Sequence, residues 1–110
     1  MAKGDYLGEF EQLVMLAILH AGKDAYAVAI CDEIVRRTDR DVSLGAVYAT
    51  LERLEAKALV TSRLGEATRE RGGRPKRFVE VTPHGMSALR ESRKMVRGML
   101  AGLSRRWGLE

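Results

Sequence analysis

A chain of 110 residues, 45% apolar and 31% charged, is sized and balanced for one globular domain with a modest core, which sets aside a disordered chain. Its longest apolar run, Leu13 to Leu19, is far shorter than the roughly 20 residues a membrane-spanning helix takes, and the N-terminus carries no secretory pattern, so a soluble cytoplasmic protein is expected. The net charge of +4 is unevenly spread, −3 over residues 1–62, +3 over 63–82 and +4 over 83–110, which suits an anionic partner such as nucleic acid as well as a solvated basic face.

In chain order, Leu7 to Ala21 is predicted as a helix, with Leu7, Phe10, Leu13, Val14, Ala17, Ile18 and Ala21 at helical spacing. Met15, Leu16 and Leu19 fall off that stripe, so the helix is apolar nearly all round and needs cover on more than one side. Gly22 is a natural stop, and Asp24 is expected to cap a second helix whose apolar face is Tyr26, Ala27, Ile30, Cys31 and Ile34. After the polar link of residues 38–42, Ser43 is expected to cap a third helix, SLGAVYATLERLEAKALV. Its inward stripe reads Leu44, Val47, Leu51, Leu54 and Ala58. Val60 to Leu64 and Arg77 to Val81 read as an antiparallel hairpin with a long basic tip. Thr82 and Pro83 open a last helix running to about residue 107. There Met86, Leu89, Arg93, Val96, Leu100, Leu103 and Trp107 alternate by three and four, the seam of a coiled coil.

The order helix, helix, helix, strand, strand, helix is mainly α with a small β-hairpin. It predicts a winged helix-turn-helix over residues 1–82 and a C-terminal dimerisation helix over 83–110. A helix that enters the major groove brings its backbone close to base edges, so small residues on its exposed face are useful. Gly45, Ala46 and Ala49 have that character, with Thr50 and Arg53 placed to reach a base or phosphate. Gly45 also serves simply to ease the turn, and Tyr48 is equally suited to donate to a phosphate or to pack on the second helix. At the wing, Arg71, Arg74 and Lys76 beside glycines suit phosphates or the minor groove.

Three motifs occur together: a Tyr after the first helix's turn in GKDAYAVAICDEI; Ser43, Tyr48, Leu51 and Leu54 in the third helix; and GRPKRF followed by TPHG. With these the chain resembles the PadR-type transcriptional regulators, in their short form with a single C-terminal helix, over nearly its whole length. The family usually has Gly where this chain has Ala25 before the Tyr. The resemblance implies double-stranded DNA as partner, Tyr48 and the wing basics Arg71, Arg74 and Lys76 on the DNA backbone, and base reading from the early exposed residues of the third helix, which Ser43 opens. It further implies a homodimer. The last helix would pack against the partner's first and last helices, using Leu13, Leu16, Met86, Leu89, Arg93, Val96, Leu100, Leu103 and Trp107. A repressor on a pseudo-palindromic operator is then expected. Some members hold aromatic or drug-like effectors at the dimer interface. Trp107 with Met86, Met95 and Met99 could line such a site, or Trp107 could be a packing anchor.

Enzyme chemistry has little support. His20 and His84 lie in different elements, no metal-ligand spacing occurs, and no cofactor is implied. Cys31 reads as a small buried hydrophobe. The competing reading is a winged helix that binds protein instead of DNA, against which the focused positive charge of the wing speaks.

Overall fold

The computed structural model describes residues 6–65 and 75–109. Helix α1 spans Glu9–Ala21, α2 Ala27–Thr38 and α3 Leu44–Ala56. Strands β1 (Val60–Leu64) and β2 (Arg77–Val81) follow, then α4 (Pro83–Leu100) and a short α5 (Ser104–Trp107). The two strands pair antiparallel, with Val60 opposite Val81 and Leu64 opposite Arg77.

Helix α1 begins after Leu7. Gly8 sits at the N-cap in extended backbone, and its N–H donates to the Glu11 carboxylate at 2.9 Å. Leu7 is buried outside the helix, its N–H donating to the buried Ser92 Oγ at 3.1 Å, which ties the chain's start to α4. The core-facing side of α1 is Val14, Met15, Ala17 and Ile18, while Leu13 and Leu16 stay half-buried.

The expected cap of α2 is corrected. Gly22–Asp24 form a separate 3-10 turn, and Tyr26, in extended backbone, is the N-cap residue, its side chain not capping the helix. The cause is the wing: the Ala25 carbonyl accepts the Val79 N–H at 2.8 Å, so the chain stays extended there and the helix starts beyond Asp24's reach. Helix α2 ends where Asp39 turns left-handed at φ 55°.

Ser43 caps α3 as expected, accepting the Ala46 N–H at 3.1 Å. The helix ends at Ala56 and does not run on to residue 60. The Ala58 N–H donates to the Glu55 carbonyl at 3.0 Å and the Leu59 N–H to the Leu54 carbonyl at 2.9 Å, with Ala58 left-handed at φ 61°. This paired closure normally takes a glycine at Ala58's position, and Leu59 here packs back on the core. Glu11 accepts from Lys57 Nζ at 3.1 Å, fastening the end of α3 to α1.

Helix α4 starts against that same closure. Thr82 Oγ1 accepts the Gly85 N–H at 2.9 Å and donates to the Ala58 carbonyl at 2.8 Å, while the Thr82 N–H donates to the Leu59 carbonyl at 3.0 Å. A Cβ on Gly85 would lie 2.0 Å from the Leu59 carbonyl oxygen, so the close approach requires glycine. Gly85, Ala88, Leu89 and Ser92 are buried, so the first half of α4 belongs to the same core as the hairpin. The single last helix expected to residue 107 is corrected to two: Ala101 leaves helical backbone at ψ 127° and Gly102 turns left-handed at φ 84°. Two glycines, Gly98 and Gly102, weaken the helix just where the chain's own core no longer supports it.

Candidate nucleic-acid interface

The N-terminal half of α3 stands at the surface. Ser43, Gly45, Ala46 and Ala49 are exposed, nothing lies within 4 Å of where a Gly45 Cβ would be, and Tyr48 is 54% exposed. The four small residues form one face flanked by the Tyr48 phenol. Thr50 does not join them. It is 1% exposed on the buried stripe Val47, Thr50 and Leu54, and its hydroxyl accepts from Arg53 Nη2 at 3.1 Å. The expected stripe holds at Val47 and Leu54 and, half-buried against the core, at Leu51, with Thr50 added to it; Leu44 is exposed at the helix start and Ala58 lies beyond its end. Arg53 keeps an exposed position, its guanidinium held near Thr50.

The wing stands beside this face. A cleft of about 720 Å³ separates α3 from the hairpin, lined by Tyr26, Tyr48, Leu51, Glu52, Lys76 and Arg77 among others. Arg77 Nη1 donates to Ser62 Oγ at 3.1 Å, and Ser62 Oγ donates to the Glu55 carboxylate at 2.8 Å, so a polar chain joins both strands to α3. The sequence pattern did not single out Glu52, Glu55 or Ser62; the spacing of Tyr48, Glu52 and Glu55 by four and three was the available signal. Arg71 and Arg74 lie outside the described residues. Lys76 is half-buried, with its ammonium 4.2 Å from the centroid of the Tyr26 ring.

Other basic groups near the helix pair are engaged. Arg36 and Arg37 both bond the Glu33 carboxylate, Arg37 at 2.7 Å. Arg37 and then Arg36 hold that carboxyl below its ordinary value. Arg40 bonds Glu9 at 2.7 Å and lies over the Phe10 ring, pinning the link between α2 and α3 to α1. The Cys31 thiol donates to the Val42 carbonyl at 3.4 Å, and burial with the nearby Asp32 and Asp41 pushes its pKa up, which keeps it a thiol. Among the described residues no cluster of His, Cys, Asp or Glu could hold a metal, and no helix is long and apolar enough to cross a membrane.

Of the seam residues, Leu89 is 4% exposed within its own chain and Met86 is half-buried, so the start of the seam is spent on the chain's own core. Leu103 and Trp107 fall beyond the break and leave the line of α4. Arg93 and Val96 are exposed and Leu100 is half-buried, with Met95 and the 77%-exposed Met99 beside them.

A third helix with an open face and a two-stranded wing across a cleft from it define a winged helix-turn-helix protein, the fold of winged-helix DNA-binding proteins. The sequence pattern of the transcriptional regulator PadR-like family matches residues 15–91, and the chain belongs to that family. It is therefore a transcriptional regulator and not an enzyme. It is 37% identical over 103 residues to the transcriptional regulator Rv3488 of Mycobacterium tuberculosis, a match covering 87% of this chain and 92% of that protein. The fold is similar to that of a PadR-like transcription factor from Bacteroides fragilis, with a TM-score of 0.70 at 24% identity and 87% of each chain covered. It is similar too to Bordetella bronchiseptica BpsR, whose DNA binding is regulated by 6-hydroxynicotinic acid. That likeness has a TM-score of 0.62 at 20% identity, covering 93% of this chain and 71% of that one.

Proposed function

We propose that the chain is a homodimeric, cytoplasmic repressor that binds a pseudo-palindromic operator. One recognition helix from each protomer enters successive major grooves. The observation that carries this reading is the open face of Ser43, Gly45, Ala46 and Ala49 on α3. A duplex can approach its backbone closely there, with no side chain in the way. Tyr48 and Arg53 flank the face as phosphate or base contacts, and Arg71 and Arg74 of the wing supply salt-dependent affinity. Dimerisation is supported by the exposed Met95, Val96 and Met99 on α4, with Arg93 among them and Leu13 and Leu16 half-buried on α1. A partner helix packed on this side of α4 would cover them. Repression is the sign that the family resemblance favours.

An aromatic or drug-like effector is part of the proposal. Trp107 is 61% exposed and Met99 more so, which leaves adaptable apolar side chains for a ligand at the dimer interface. BpsR, with its 6-hydroxynicotinic acid, is a precedent for such control within the same fold.

Selection of bound sequences from a random duplex library, followed by footprinting, tests the reading. The expected result is two related half-sites about one helical turn apart. Protection of a single unsymmetric half-site overturns the dimer, and no retained DNA at low salt overturns DNA binding in favour of a protein partner. Titration with candidate phenols, followed by the fluorescence of the lone Trp107, tests the effector for those compounds.

A further inference from the structure

Four side chains form a stack between the wing and the start of α2. Lys76 Nζ sits 4.2 Å from the Tyr26 centroid. Tyr26 meets Phe78 edge to face, with centroids 5.9 Å apart and planes at 74°. The guanidinium of Arg63, which faces Phe78 across the hairpin, lies 5.0 Å from the Phe78 centroid. On the free edge of β2 the Val79 N–H donates to the carbonyl of Ala25, the residue before Tyr26. The wing is thus joined to the helix pair at Ala25 and Tyr26 by one backbone bond and by a run of cation, ring, ring and cation.

A cation over an aromatic face is attracted by the ring's quadrupole, so the Tyr26 ring holds one side of the ammonium and fixes where it sits. The sequence pattern suggests Lys76 as a phosphate contact, but its ammonium faces the Tyr26 ring. We propose that Lys76 is a positioning residue: Tyr26 is the seat, Lys76 the clamp over it, and together they set the angle of the hairpin relative to α3. DNA affinity then depends on Lys76 through Tyr26 and not through a phosphate of its own. This rests on the DNA-binding reading above, but the brace itself can be measured without DNA.

The test uses the full chain and a fluorescein-labelled duplex of mixed sequence, with binding followed by anisotropy across a salt series. Tyr26→Leu removes the ring and no charge, Tyr26→Phe keeps the ring, and Lys76→Gln removes the clamp. A cation–ring contact of this kind corresponds to about a 2- to 5-fold change in an equilibrium. The expected result is that Tyr26→Leu weakens binding by at least about that factor and flattens the salt slope, because a displaced wing loses phosphate contacts. Tyr26→Phe restores both. Lys76→Gln adds little in a chain that already carries Tyr26→Leu, since the two act as a unit. If Lys76 meets a phosphate directly, Lys76→Gln lowers the slope by about 1, its effect adds to that of Tyr26→Leu, and Tyr26→Leu leaves the slope unchanged. That pattern overturns the proposal.

The second measurement is hydrogen exchange of the Val79 amide in the DNA-free protein. It is expected to quicken in Tyr26→Leu and in Lys76→Gln while the amides of Val14 and Ile30 in the core hold, and to return in Lys76→Arg. Unchanged Val79 exchange overturns the brace. Failure of the wild-type chain to bind the duplex at low salt overturns the DNA reading alone. Should Tyr26→Leu fail to fold, Lys76→Gln against Lys76→Arg decides on the same amide.

Discussion

Gly85→Ala is the most demanding test of how the wing, α3 and α4 are joined. The added methyl would lie 2.0 Å from the Leu59 carbonyl oxygen, 2.9 Å from Val81 Cγ1 and 3.0 Å from the Leu59 carbonyl carbon. Ordinary contact begins near 3.4 Å, so α4 must retreat by about 1.4 Å or the backbone of Leu59 must yield. Neither is easy, because the Leu59 carbonyl accepts the Thr82 N–H and the Ala58 carbonyl accepts the Thr82 hydroxyl. Overpacking of this kind costs about 1–3 kcal/mol. Loosening two hydrogen bonds adds about 1 kcal/mol each, and the better helix propensity of alanine returns about 1 kcal/mol. The net loss is about 2–4 kcal/mol. For a domain of this size, at roughly 4 °C per kcal/mol, the melting midpoint falls by about 8–16 °C. Thermal unfolding followed by circular dichroism, at matched protein concentration, reads it directly. Gly45→Ala is the control, since its methyl would meet nothing within 4 Å. A Gly85→Ala midpoint within about 2 °C of wild type would refute the tight junction.

The same control makes a second prediction. Gly45→Ala raises stability by up to about 1 kcal/mol in thermal unfolding, yet weakens operator binding in anisotropy if the duplex approaches α3 closely. Ala58 sits left-handed at φ 61° in the closure of α3, so Ala58→Gly is expected to stabilise by about 1 kcal/mol, read as a higher urea midpoint at unchanged slope. Burial raises the Glu11 carboxyl, but the Gly8 N–H and Lys57 outweigh it and leave the group below its ordinary 4.5. The folded state therefore favours the carboxylate. Its contribution is fully present above 4.5 and is lost as pH falls through the lowered folded value. Urea midpoints across pH should show Glu11→Gln less stable at neutral pH by about 1 kcal/mol, with the half-exposed Lys57 screened, and should show the gap closing in acid. Met99→Glu, at a 77%-exposed side chain, should leave the monomer's fold intact and shift sedimentation from dimer to monomer; an unchanged dimer would place the interface elsewhere.

The parts of the fold that were legible in sequence are those decided by local chemistry. Ser43 and Thr82 announce helix starts because a hydroxyl reaching a free N–H needs only its own turn. The hairpin bounds follow from alternation and flanking turn residues. What escaped is set by neighbours distant in the chain. Asp24 is a good cap by type, but Val79 holds Ala25 extended and moves the start of α2 past it. The end of α3 looked continuous because Lys57, Ala58 and Leu59 break no propensity rule; an alanine occupies the left-handed position where glycine would have marked it.

For the site, the difficulty was one of phase. Leu51 and Thr50 are neighbours, and beside Val47 and Leu54 both turn toward the core: Thr50 fully, Leu51 half-buried with its free side lining the cleft between α3 and the wing. Hydrophobicity announces Leu51 but not Thr50, whose hydroxyl is satisfied by Arg53, so burying it costs little. The burial of Thr50 bears on the proposed DNA contact. It takes Thr50 off the exposed side and leaves Ser43, Gly45, Ala46 and Ala49 as a face almost free of hydrogen-bonding side chains. On the proposed reading such a face would meet a duplex by closeness of approach more than by side-chain hydrogen bonds, so sequence discrimination should fall on the flanking Tyr48 and Arg53 and on the ease of deforming the duplex to meet the wing. Tyr48→Phe and Arg53→Ala should therefore alter the selected operator, whereas Ala46→Ser should change affinity with little change in preference. A new base preference from Ala46→Ser alone would show that the small-residue face itself is the reader.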